Sequence, residues 1–191
     1  MPEPGLGLVA ALAVALGWLA VGLAGLLRPH STFVVSRLLF PLGAAGSVAL
    51  AATGLAALLA PPAELVLPLG LPDLPLHLRL DALSAFFLFL LGSASAGISV
   101  FGAGYFRAGE GTSPGLLCLQ YHVFLASMTL VLIANDAYAF MVSWESMALS
   151  SYFLVATQHR IPEIRQAGFL YLLIAHVGAI AILLCFGVLQ G

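Results

Sequence analysis

Lysine is missing altogether from this chain, and only 7% of its residues are charged, where a soluble globular domain carries about 25%. A water-exposed surface cannot be made from so few charges. The six basic residues are Arg28, Arg37, Arg79, Arg107, Arg160 and Arg165, and the formal net charge of -2 is too small to imply nucleic acid or a strongly charged partner. Cysteine is nearly absent as well. Cys118 and Cys185 fall inside apolar runs of two different expected helices, which excludes a disulfide framework and suits small packing residues. The sequence also lacks a CxxC pair, paired histidines at haem or zinc spacing, a glycine-rich phosphate loop and a nucleophile elbow. The expectation is therefore no metal, no cofactor and no redox centre in this chain.

What the chain has in quantity is hydrocarbon: 62% of its residues are hydrophobic and its mean hydropathy is +1.11. It reads as an integral membrane protein. Apolar runs of about 20 residues separated by short polar turns predict an all-α, polytopic bundle of about six spanning helices, because a β-barrel would show alternating segments of about ten. The N-terminus has no basic region of the kind that opens a signal peptide, and its apolar run is too long for one. The first span is expected to be retained.

Helix one is expected from Gly5 to Leu27, ending at Arg28-Pro29, where proline cannot continue it. Helix two is expected from Leu38 to Ala60, with Gly43, Ser47, Ala51 and Gly54 at three- and four-residue spacing, a stripe that permits close approach of a neighbour. Residues 61–80 change character, with five prolines and the alternation of Leu74 to Leu80, which predicts extended structure, a hairpin lying on the membrane surface with His77 and Arg79 on its polar face. Asp81 stands before the run Ala82 to Gly104 and is expected to cap helix three. Helix four runs from Pro114 to Ala134, helix five follows the Asn135-Asp136 turn as far as Gln158, and helix six runs from about Gln166 to Leu189. Asp136 reads as the cap of helix five, about nine residues from Glu145 and roughly on the opposite face. The organisation is thus two helices in 1–60, a proline-rich extracytoplasmic segment in 61–80, and four helices in 81–191.

Arginine placement predicts the orientation. With the N-terminus outside, the inner loops hold Arg28, Arg37, Arg107, Arg160 and Arg165 and the outer segments hold only Arg79, a bias that the reverse orientation would invert. The expected location is the cytoplasmic (inner) membrane of the cell.

Glu145 lies near the middle of helix five, where an acidic side chain costs ~2.5–3.5 kcal/mol on insertion scales and is a functional-site hypothesis by default. It needs a partner or a wet path. His176 falls at a similar depth in helix six, and helices joined by a short loop are normally neighbours, so a Glu145–His176 contact or water bridge is sterically reasonable. A carboxyl group and an imidazole can both take up and release protons. His122 in helix four is a further relay candidate toward the inner side, and the alternative for all three is interhelical hydrogen bonding without transport.

These residues also carry a resemblance. RLDALSAFF at the start of helix three, FLASMTLVLIANDAYAFMVSWESMALSSYFLV across helices four and five, and AGFLYLLIAHVG in helix six resemble the antiporter-like proton-translocating membrane subunits. That family is shared by respiratory complex I, Mrp-type sodium/proton antiporters and membrane-bound NiFe hydrogenases. The WESMALSSY run is its most specific element, and ESMALSSYFLV and IAHVG look most like the hydrogenase-4 component B and formate hydrogenlyase subunit 3 group. The resemblance implies that Glu145 is the helix-five glutamate of the translocation machinery, that His176 matches a histidine of the hydrogenase-like branch, and that the partners are other membrane subunits of an oxidoreductase complex. Full members have many more helices and buried lysines, so the likeness covers only an N-terminal portion. Two other readings are a structural membrane scaffold and a small independent cation/proton transporter.

Overall fold

The computed structural model describes residues 5–71, 74–105 and 111–190. Arg107 and Glu110, both in the expected third loop, lie outside the described residues. Among the described residues six helices are long and apolar enough to cross a membrane: α1 (Leu6–Leu27), α2 (Thr32–Ala57), α3 (Ala82–Tyr105), α4 (Pro114–Ile133), α5 (Ala137–Val155, continued by a 3-10 turn at Ala156–Gln158) and α6 (Pro162–Gln190). Between α2 and α3 the antiparallel strands β1 (Ala63–Leu71) and β2 (Leu74–Leu80) form a hairpin.

The sequence of each helix shows which side it buries. Buried positions fall at alternating three- and four-residue steps in α1 (Leu8, Ala11, Ala15, Trp18, Gly22, Gly25), in α2 (Phe40, Gly43, Ser47, Leu50, Gly54) and in α3 (Ala85, Leu88, Gly92, Ser95, Ser99, Gly102). Each helix therefore presents one narrow stripe to its neighbours and its remaining face outward. The stripes are rich in small residues, so backbones come close: a Cβ added at Gly54 would sit 2.5 Å from the Phe89 amide nitrogen. Van der Waals packing across such stripes replaces the hydrophobic drive that lipid removes. The closest pairings are α2 with α3, α1 with α4, and α4 with α5, while α6 packs chiefly on α5. Accordingly α4, which touches neighbours on two sides, buries half of its apolar window and α6 only 6%.

Helix two starts earlier than the sequence indicates. Ser31 caps it through the Val34 amide, 3.4 Å from the serine oxygen, and Val35–Leu39 form a π turn in which the Phe40 amide bonds the Val35 carbonyl. The reason lies one residue on. In regular α geometry the ring of Pro41 would collide with the Arg37 carbonyl four residues back, and a wider π turn lets the helix pass the proline without breaking. Arg37 is thereby inside the helix and not in the preceding loop.

The hairpin alternates as its sequence does. Leu78 and Leu80 are buried with Ala63 against the helical core, and Leu65, Leu67 and Leu76 pack partly onto it, while His77 and Arg79 point the other way, as period-two geometry requires. The pairing slips between Leu67 and Gly70, around Pro68, which has no amide to donate to a ladder. Gly70 takes up the bulge at φ 132°, a conformation favourable only to glycine. β2 is tied down beyond the hairpin by an isolated bridge from Leu78 to Ala134, at the turn between α4 and α5.

Candidate functional site

The contacts between α5 and α6 run in antiparallel order along the pair. Phe140 meets Phe186 edge to face at 5.9 Å between ring centroids, Glu145 meets His176, the Tyr171 hydroxyl donates to Ser151 Oγ at 2.9 Å, and Tyr152 lies over Gly168. Glu145 is eight residues past the start of α5, and His176 is fourteen residues from either end of α6. At ~1.5 Å per residue both lie near the middle of a ~30 Å hydrocarbon core.

His176 Nε2 is 3.6 Å from Glu145 Oε2. The other ring nitrogen, Nδ1, is 2.9 Å from the Leu172 carbonyl oxygen, and since a carbonyl only accepts, Nδ1 carries a hydrogen. The tautomer follows from that bond. A neutral His176 then turns the lone pair of Nε2 toward the carboxylate, and two lone pairs repel unless a proton stands between them. The pair can hold that proton on the carboxyl or on the imidazole, which is the elementary condition for passing it along. Glu145 is 36% and His176 46% exposed, so the pair sits at the open side of the α5–α6 seam and not in the closed core. The neighbouring serines are already committed, Ser146 Oγ donating to the Val142 carbonyl at 2.9 Å and Ser150 Oγ to that of Ser146 at 2.8 Å.

His122 occupies a different place. It is fully buried, its Nδ1 lies 2.8 Å from the Cys118 carbonyl, and its ring packs against Phe40, Tyr121, Gly22 and Gly43. That is the side of α4 facing α1 and α2. The side facing α5 carries Leu116, Leu119, Gln120 and Val123, which with Ser146, Leu149, Ser150 and Phe153 line a groove of about 440 Å³. The structure therefore brings Glu145 and His176 together and puts His122 on the far face of the intervening helix, its Nε2 without a hydrogen-bond partner among the described residues. Beside it the Tyr121 hydroxyl lies 3.0 Å from Ser99 Oγ and donates to the Ser95 carbonyl at 3.3 Å, joining α3 to α4. Of the two cysteines, Cys118 is buried and Cys185 is exposed on α6.

Asp81 and Asp136 both sit at helix N-termini. Asp81 Oδ1 accepts from the Ser84 amide at 3.0 Å, and this bond, assisted by Arg79 whose Nε is 3.6 Å away, holds the carboxyl below its ordinary value. Asp136 Oδ1 accepts from the Ala139 amide at 2.7 Å. Its second oxygen does something no local pattern announces: it accepts from the backbone amide of His77 at 2.8 Å. Nothing in the spacing of residues 59 apart could have signalled that bond.

No family model matches the chain. Hydrogenase-4 component B of Escherichia coli (strain K12) is 36% identical over 111 residues, covering 58% of this chain and 16% of that protein. That likeness supports the resemblance to the antiporter-like membrane subunits over part of their length. An uncharacterised protein of Mycobacterium tuberculosis is likewise 36% identical to this chain, over 114 residues, 59% of this chain and 17% of that one. The chain thus spans about a sixth of the length of the curated relatives it matches. A chain of the membrane-bound sulfane sulfur reductase, an archaeal respiratory membrane complex, superposes with a TM-score of 0.72 at 22% identity, over 92% of this chain and 26% of that one. At that identity the likeness is one of fold.

Proposed function

We propose that this chain is a membrane subunit, or the N-terminal part of one, in an energy-converting oxidoreductase complex, and that it takes part in proton translocation through Glu145 with His176 as its proton partner. The observation that carries the reading is the 3.6 Å approach of a carboxylate and an imidazole at mid-membrane depth, where isolated ionisable groups are rare and cluster on ion pathways. The relatives supply the setting, since one is named as a hydrogenase component. Other membrane subunits of such a complex are the partners in this reading. Redox chemistry belongs to those subunits, and His122, facing α1 and α2, serves the packing of the bundle more than the relay.

Orientation belongs to the same proposal. One end of the bundle carries the exposed Arg28, Arg160 and Arg165 against Glu163, whereas the other carries Glu64, Asp81 and Asp136 against Arg79. Positive residues favour the cytoplasmic side, which puts the hairpin segment and the N-terminus outside and the chain in the cytoplasmic (inner) membrane.

Infrared difference spectroscopy of the chain in nanodiscs tests the assignment. A protonated-carboxyl band that shifts on hydrogen–deuterium exchange is expected in the wild type and its loss in Glu145→Gln. If wild type and variant give the same spectra, Glu145 holds no exchangeable proton, and the role left to it is that of an interhelical hydrogen bond in a scaffold.

A further inference from the structure

The extended start of α2 leaves Arg37 in an unusual position. It is exposed on the π turn, six residues past the Ser31 cap and ~9 Å along the helix. Among the described residues its side chain has no hydrogen bond and no ion pair. Around it the surface is apolar: Phe33, one turn earlier on the same face, is 69% exposed and the adjacent Leu38 53%. A helix of 26 residues is ~39 Å long against a ~30 Å hydrocarbon core, so Arg37 falls within about one turn of the hydrocarbon boundary. An arginine there extends its aliphatic stem along the apolar surface and its guanidinium toward the headgroups.

Within residues 28–38 charge is of one sign. Arg28 and His30, in the turn that enters α2, are exposed, and the Gly115 amide bonds the Pro29 carbonyl at 2.9 Å to hold that turn against the start of α4. Residues 28–38 contain no carboxylate. A guanidinium beside exposed hydrocarbon is matched by a ligand with a phosphate at one end and acyl chains at the other. Free phosphate would satisfy Arg37 and leave Phe33 and Leu38 uncovered, so complementarity favours the lipid.

We propose that the corner between α1 and α2 binds an anionic phospholipid, with its phosphate on Arg37, Arg28 and His30 and its acyl chains along Phe33 and Leu38. The guanidinium can take two phosphate oxygens at once, and the net positive corner selects a headgroup without a compensating cation. This site is independent of the Glu145–His176 pair.

Native mass spectrometry of the 191-residue chain in detergent, titrated with phosphatidylglycerol or phosphatidylcholine, reads the binding directly. The wild type is expected to retain phosphatidylglycerol in preference to phosphatidylcholine, and Arg37→Gln to bind it about fivefold more weakly, the effect of one arginine near an anionic surface. Arg160→Gln, at the same end on a different turn, is expected to match the wild type. Equal weakening by both substitutions would mean diffuse attraction and overturn the site, as would unchanged binding in Arg37→Gln. Glycerol phosphate that competes as well as the lipid would also overturn it, in favour of a plain phosphate site. Circular dichroism checks the fold of each variant. Should Arg37→Gln fail to fold, Phe33→Ala decides: weaker retention supports the proposal and wild-type retention refutes it.

Discussion

Asp136 is joined to His77 across 59 residues of chain, and its neighbour Asn135 adds a second bond. The Asp136 carboxylate accepts the His77 backbone amide at 2.8 Å, and the amide of Asn135 returns a bond to the His77 carbonyl at 2.9 Å. The same carboxylate caps α5. One side chain thus fixes both the start of the helix that carries Glu145 and the seat of the hairpin.

Asp136→Ala removes the cap and the hairpin bond together, and is expected to destabilise the chain by about 1–3 kcal/mol. Asp136→Asn keeps an oxygen for one amide and should cost less than half of that. Thermal unfolding in detergent ranks the two variants. Hydrogen exchange should show faster exchange at His77 in Asp136→Ala.

Gly54 and Gly97 form a matched pair for testing the small-residue stripe. An added Cβ at Gly54 meets the Phe89 backbone at 2.5 Å, whereas one at Gly97 meets nothing within 4 Å. Gly54→Ala is expected to destabilise by about 1–3 kcal/mol through forced separation of α2 from α3. Gly97→Ala, which improves helix propensity in open space, should be neutral or stabilising. A denaturation series that ranks the two equally would contradict the packing described for α2 and α3.

Asp81 makes stability depend on acid. Its carboxyl is held below its ordinary value chiefly by the Ser84 amide, so the folded state favours the charged form. The contribution is fully present above the unfolded value of about 3.9 and is lost as the pH falls through the lower folded value. Unfolding measured from about pH 5 downward should show the wild type converging on Asp81→Asn, with the separation largest at the upper end. Parallel curves would show that the cap does not distinguish charged from neutral aspartate.

The Glu145–His176 pair predicts a coupled signal. In His176→Ala the carboxyl loses the lone pair that faces it, so the infrared band assigned to Glu145 should move in frequency. Tyr171→Phe breaks a neighbouring hydrogen bond to Ser151 on the same seam. It should leave the band in place while costing about 0.5–1.5 kcal/mol. Identical shifts in the two variants would mean that seam geometry, and not His176 itself, governs Glu145.

The helices were legible because their signal is local and the solvent is extreme. A run of about twenty apolar residues has few alternatives in a bilayer, where every backbone amide must be satisfied within the segment. The hairpin could be read from the alternation of Leu74 to Leu80, and the stripe of Gly43, Ser47, Ala51 and Gly54 announced a close contact without naming the helix that makes it. The start of α2 was not legible, because a proline ordinarily marks a helix end and only the π turn over Val35–Leu39 carries the chain past Pro41.

Residue depth follows from counting along an α-helix, so the sequence by itself determined that Glu145 and His176 share a level in the membrane. Their facing required the rotation of both helices about their axes, which periodicity could not set because α6 is apolar on nearly every side. His122 shows the same limit: its depth could be counted, but packing of α1 and α2 against α4 decided which way it points. The Asp136–His77 bond and the exposure of Arg37 likewise exist only once the helices are assembled. Hydrophobicity and length fix what each segment is, and the mutual packing of stripes decides which polar atoms meet.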